Sequence, residues 1–81
     1  MNEEEVRAAI RTFITTDLMR DPGYDLSNEE GIITGGLMDS FSLAELAVYV
    51  EGAFNVFIPD SDLTVAKMDT LDQMVVRVLQ G

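Results

Sequence analysis

The sequence predicts an all-α fold: a small four-helix bundle with a long loop between helices 1 and 2 and a short third helix. Three observations carry this expectation. Apolar residues recur at helical spacing over three long segments. Capping residues, Asn2, Asp39 and the pattern Thr70-x-x-Gln73, stand where those segments begin. Pro22-Gly23, Gly35-Gly36 and Pro59 punctuate the chain between them. With 81 residues, the chain 1–81 reads as a single domain. A core of that size leaves a net stability on the order of 3–5 kcal/mol.

The first helix is expected over residues 3–18. Val6, Ala9, Ile10, Phe13 and Ile14 share a face, with Leu18 one turn later. Asn2 caps it, and Glu3, Glu4 and Glu5 suit the positive end of its dipole. Arg7 and Arg11 are expected on the outer face, with Glu3 and Arg7 paired at i,i+4. RDPGYDLSNEEGIITGG then breaks the period. A loop this long in a small domain signals function or disorder, and Leu26, Ile32, Ile33 and Leu37 are apolar enough to pin it to a core.

The second helix is expected over residues 40–54, with Leu43, Leu46, Ala47, Val50 and Phe54 as its core stripe. Asp39 is one candidate N-cap, and Ser42-x-x-Glu45 is a competing capping box. Gly52 weakens the last turn by about 1 kcal/mol relative to alanine. Ile58-Pro59 is extended, because proline pushes its predecessor out of the helical region. Asp60 or Ser61 then caps a short helix to about Lys67, and the Thr70-x-x-Gln73 box opens a last helix over 70–80 with Leu71, Met74, Val75 and Val78 inward.

Composition excludes whole classes of chemistry. The chain has no cysteine and no histidine, which removes disulfides, thiolate and zinc sites, and histidine acid–base schemes. An apolar content of 47% is enough for a folded domain. Fifteen acids oppose five bases, a net charge of −10. That disfavours nucleic acid and anionic membranes and favours partners with basic patches. Residues 37–72 carry seven acids against Lys67 alone, so the acidic field is expected on the second and third helices. The N-terminal Met-Asn-Glu-Glu-Glu lacks the basic and apolar regions of a signal peptide, and no apolar run approaches the roughly 20 residues of a membrane span. A cytoplasmic monomer is expected.

Sequence motifs for catalysis fail on spacing. There is no G-x-S-x-G elbow, no G-K-[ST] and no G-x-G-x-x-G. DSDLTVAKMDTL begins like a calcium loop with Asp60 and Asp62, but it has Val65 in place of the turn glycine and Leu71 in place of the bidentate glutamate. No metal site and no catalytic residue is therefore expected. One feature survives. Phe41, Ala44 and Val48 lie off the core stripe of the second helix, interleaved with Glu45 and Glu51. They form either a docking face or a contact with the loop over 19–38.

Beside that face stands GLMDSFSLAEL, and it raises a question: why does Ser40 sit at the mouth of a helix with no base to activate it? The stretch resembles the Asp-Ser signature of acyl and peptidyl carrier proteins, a phosphopantetheine-binding family with free-standing members. A long loop before Asp-Ser, a helix ending in Phe54, an extended VFIPD, a short helix and Thr-Leu opening the last helix repeat the family's order along nearly the whole chain.

The resemblance implies a bundle of the acyl-carrier type. In it Ser40 carries covalent 4′-phosphopantetheine from coenzyme A, and Asp39 supports the modification. Phe41, Ala44, Glu45 and Val48 match partner-facing positions, with Glu51 beside them. The implied partners are a phosphopantetheinyl transferase, an acyl- or aminoacyl-loading ligase or transferase, and downstream synthase or modifying enzymes. Fatty-acid carriers read more like Gly-x-Asp-Ser-Leu-Asp, and Gly52 replaces an acid common among them. Gly-Leu-Met-Asp-Ser-Phe-Ser is closer to D-alanyl carriers and carriers of specialised pathways. The expected role is a non-catalytic carrier holding a thioester, in a polyketide or nonribosomal-peptide setting. The alternatives are a D-alanyl or fatty-acid carrier, or an acidic interaction module without a prosthetic group.

Overall fold

A computed structural model describes residues 2–81. Helix α1 spans Glu3–Thr12. The Asn2 side chain caps it, accepting from the N–H of Glu4 at 2.7 Å and of Glu5 at 3.4 Å. The same helical run continues to Leu18, but Phe13–Leu18 is π-helical, not α-helical as the periodicity implied. The Thr15 hydroxyl, buried here, donates to the Arg11 carbonyl at 2.9 Å. Such a bond from threonine back to the preceding turn competes with the i→i+4 ladder and loosens it. The segment closes with Met19 N–H on Ile14 O at 2.8 Å, an i→i+5 bond.

Helix α2 spans Ser40–Phe54, as expected, and Asn55 ends it in the left-handed region at φ 58°. The Val56–Ile58 link is buried at both ends and turns Phe57 outward. The short helix departs from expectation. Asp60–Asp62 is a single 3₁₀ turn, and α3 is confined to Val65–Met68. Leu63, at φ −82° and ψ 69°, leaves the helical region and packs against the core, which splits the segment in two. Neither Asp60 nor Ser61 caps α3; Thr64 stands at its N-cap without a side-chain bond. Helix α4, Leu71–Gln80, opens on the complete Thr70–Gln73 capping box.

All four inward residues of α4 are buried. They meet Val6 and Ile10 of α1, Ile14 of the π-helical turn, Leu43, Leu46 and Val50 of α2, and Met68 of α3. Burial of these side chains is the main stabilising term. Phe13 stacks on Tyr49 at 4.3 Å between ring centres, and Tyr49 meets Phe54 edge-on at 6.3 Å. These rings fix α2 against the end of the first helical run.

Arg7 and Arg11 do not lie free on the outer face. Arg7 does pair with Glu3 at 2.9 Å, but it also bridges to Asp72 of α4 at 2.6 Å. Arg11 turns toward the long loop, donating to the Leu26 carbonyl at 3.0 Å and the Asn28 side chain at 2.6 Å. No described residue lies in a helix long and apolar enough to cross a membrane.

Candidate functional site

The long loop reaches α2 by way of buried anchors. Leu26, Ile32 and Met38 are buried, and Ile33 and Leu37 are half-buried against the core. Residues 31–36 form a turn closed by a Schellman pair: Leu37 N–H bonds Ile32 O at 2.9 Å, and Gly36 N–H bonds Ile33 O at 3.1 Å. Gly36 takes φ +78°, the left-handed position that this cap demands and that glycine adopts without strain. The chain then dips into the core at Met38 and emerges at Asp39, Ser40 and Phe41, all exposed, before Leu43 anchors α2. Two buried residues thus hold a short exposed arch.

Asp39 is the N-cap of α2. Its carboxylate accepts from Ser42 N–H at 2.8 Å, so the rival Ser42-x-x-Glu45 start is not used. Ser42's N–H and then its hydroxyl hold the Asp39 carboxyl below the usual carboxylate range, so it is ionised at neutral pH. Because Asp39 supplies the cap, the Ser40 side chain is not needed for it. Ser40 is the first residue of α2 and is exposed.

The outer face of α2 runs away from this arch. At about 100° per residue, Phe41, Ala44, Glu45, Val48 and Glu51 fall within an arc of roughly 120°, opposite Leu43, Leu46 and Val50. All five are exposed, Phe41 at 74% and Val48 at 71%. Neither covers the loop. Phe57, 66% exposed in the link after α2, is a further apolar residue that no periodicity marked out.

The acidic field is narrower than the sequence suggested. Asp62 is held by Lys67 at 2.8 Å and Arg77 at 2.9 Å, which, in that order, lower its pKa. Asp72 pairs with Arg7. Asp69 turns inward to the long loop, and α3 itself carries no acid. The acids left facing solvent between 37 and 72 are Asp39, Glu45, Glu51 and Asp60, so the field lies along α2 and at the 3₁₀ turn.

Asp69, between α3 and α4, was not singled out by any motif. Its carboxylate accepts from Ile33 N–H at 2.8 Å, Thr34 N–H at 3.0 Å and the Thr34 hydroxyl at 2.9 Å. Its own carbonyl accepts Ile32 N–H at 2.7 Å. The Thr34 N–H, followed by the Thr34 hydroxyl and the Ile33 N–H, holds its pKa below the ordinary value. The partners lie 35 and 36 positions away, beyond the reach of any local pattern.

No family model matches the chain. It is similar to the D-alanyl carrier protein of Lactobacillus helveticus (strain DPC 4571), with 32% identity over 65 residues, covering 76% of this chain and 82% of that protein. That likeness extends over most of a four-helix chain whose Asp-Ser pair is exposed at the head of α2. The chain belongs to the carrier-protein family that includes the D-alanyl carrier protein.

Proposed function

We propose that this protein is a non-catalytic carrier whose Ser40 takes a 4′-phosphopantetheine arm and presents a thioester-bound cargo to other enzymes. The observation that carries this reading is the exposed Ser40 hydroxyl at the head of α2, relieved of capping by Asp39. The residues present fit the group. An exposed serine admits a transferase, and a helix start favours a phosphodiester anion through its N–H groups and dipole. The arm would supply the thiol that a chain without cysteine lacks.

Ser40 needs no base of its own because a separate transferase performs the step. Its oxygen bonds to the phosphorus that bears the pantetheine chain of coenzyme A, and the bond from that phosphorus to the diphosphate bridge breaks. Adenosine 3′,5′-bisphosphate leaves with the bridging oxygen, and the serine proton passes to the transferase. Ionised Asp39 is suited to help hold the divalent cation of that reaction. Phe41, Ala44, Glu45, Val48 and Glu51 form the docking face for the transferase, the loading ligase and the downstream enzymes.

The cargo is an aminoacyl group in this reading. The name of the curated relative favours D-alanine over the acyl cargo of a polyketide or nonribosomal-peptide pathway. Incubation with coenzyme A, magnesium and a broad-specificity transferase, followed by intact-mass measurement, tests the arm. The parent should gain one phosphopantetheine and Ser40→Ala none. A parent that stays at its apo mass is an acidic interaction module instead. Intact mass of protein purified from its native host, with cargo attached, tests the aminoacyl assignment.

A further inference from the structure

We propose that Asp69 is a positioning residue for the loading of Ser40. It acts through the turn over residues 31–36, which it clasps from the junction of α3 and α4. The inference rests on Ser40 being the loaded residue.

The clasp is built from both sides. Asp69 receives two backbone N–H groups and one hydroxyl from Ile33 and Thr34, and its carbonyl receives Ile32 N–H. Carboxylates bonded by several donors hold a turn more firmly than neutral acceptors do. Asp69 is itself fixed: Gln73 Oε1 accepts from its N–H at 2.9 Å and from Thr70 N–H at 2.9 Å, while Gln73 Nε2 donates to Ala66 O at 2.8 Å. The capping box of α4 therefore anchors the turn ahead of α2. The opposite side is closed by Gly31. A Cβ there would overlap Thr34 Oγ1 and come within 3.1 Å of Asp69 Oδ2, so an added methyl displaces the Thr34 hydroxyl and presses on the carboxylate.

Only Leu37 and Met38 separate this turn from Asp39, so the turn's position sets the exit of the chain toward Ser40. Released from Asp69, the turn samples many arrangements, of which a fraction presents the arch as the closed form does. A transferase that binds that fraction sees a KM raised by its reciprocal, while kcat at saturation is unchanged. A purely structural role for Asp69 would leave KM unaltered in any variant that is fully folded at the assay temperature.

Three variants test this, with the parent as reference. Asp69→Ala removes every side-chain acceptor. Asp69→Asn keeps Oδ1 for the two N–H groups and can donate to the Thr34 hydroxyl, so it is the conservative rescue. Gly31→Ala crowds the clasp with the carboxylate and its charge intact. Loading kinetics with coenzyme A and magnesium are measured beside thermal melting and amide hydrogen exchange. For Asp69→Ala and Gly31→Ala, the expected result is lost protection at Ile33 and Thr34 and retained protection at Met74 and Val75. KM for the carrier should rise about tenfold, equivalent to about 1.4 kcal/mol, with kcat within about twofold; Asp69→Asn should lie between them and the parent.

Lost protection at Ile33 and Thr34 with unchanged KM overturns the proposal, as does a fall in kcat alone. Lost protection at Ile33 and Thr34 in Gly31→Ala, with a KM rise in both Asp69 variants but not in Gly31→Ala, also overturns it, because the charge and not the clasp would then be at work. If Asp69→Ala does not fold, Asp69→Asn and Gly31→Ala decide by the same criteria. A parent that cannot be loaded at all refutes the Ser40 assignment itself, and a parent that loads alongside unaffected variants refutes only the role of Asp69.

Discussion

Leu46 and Val48 are two residues apart on α2 and face opposite ways, which makes them a test of the docking face. Leu46 is 0% exposed and Val48 is 71% exposed. Leu46→Ala removes buried volume and should cost about 2–5 kcal/mol. At about 4–8 °C per kcal/mol for a domain of this size, its melting midpoint should fall by at least about 8 °C. Val48→Ser touches no core residue. Serine also avoids the like-charge repulsion that aspartate would add between Glu45 and Glu51 at i±3. Its cost should stay within about 0.5 kcal/mol, or no more than about 4 °C.

Loading should rank the two variants the other way. A valine buried at an interface contributes about 1.5 kcal/mol, so Val48→Ser should lower transferase kcat/KM about tenfold. Leu46→Ala should lower it only by its unfolded fraction. The assay is a thermal melt by circular dichroism together with kcat/KM for loading, taken below both melting midpoints. If Val48→Ser melts as low as Leu46→Ala yet loads like the parent, the two faces of α2 have been assigned the wrong way round.

Glu45→Lys and Glu51→Lys should each slow loading about tenfold at low ionic strength through slower association, and the difference from the parent should shrink as salt is raised. A deficit that persists in high salt would point to a direct contact instead. Asp39, Asp62 and Asp69 are all held below the ordinary carboxylate range by their donors. Their stabilisation is therefore complete above the unfolded carboxylate value near about 3.9 and is lost as pH falls through their lower folded values. The melting midpoint should be level from about pH 7 to 5 and drop below about pH 4, and Asp62→Asn should flatten the drop; a midpoint that climbs in acid contradicts the sign. Thr70→Ala removes the hydroxyl that accepts Gln73 N–H at 3.1 Å and should cost about 0.5–2 kcal/mol by urea unfolding. A loss under about 0.3 kcal/mol would mean that Gln73 holds the helix start alone.

Local, periodic physics was legible without the fold. The residues that cap helices act on backbone two or three positions away, so Asn2 and the Thr70–Gln73 box could be read directly and Asp39 as one of two candidate caps, and α2 spans the residues its stripe implied. The inward residues of α4 followed from helical spacing alone, and so did the exposure of Phe41 and Val48 once the opposite stripe was taken as core. The Asp-Ser pair at a helix start was visible for the same reason.

Tertiary structure decided whatever depends on partners far along the chain. Arg7 and Arg11 read as solvent-facing because their helix offers them only Glu3; the approach of Asp72 and of the loop gives them other partners. The break at Leu63 accompanies the packing of that leucine against the core, which local spacing does not foretell. Asp69 is the clearest case. In sequence it is a polar residue before a helix cap; in the fold its carboxylate meets donors 35 and 36 residues upstream. Helical periodicity is set by bonds within a turn or two, so the sequence determines helices, caps and faces. Which charge meets which loop is set only when the helices pack and bring distant backbone within hydrogen-bond range.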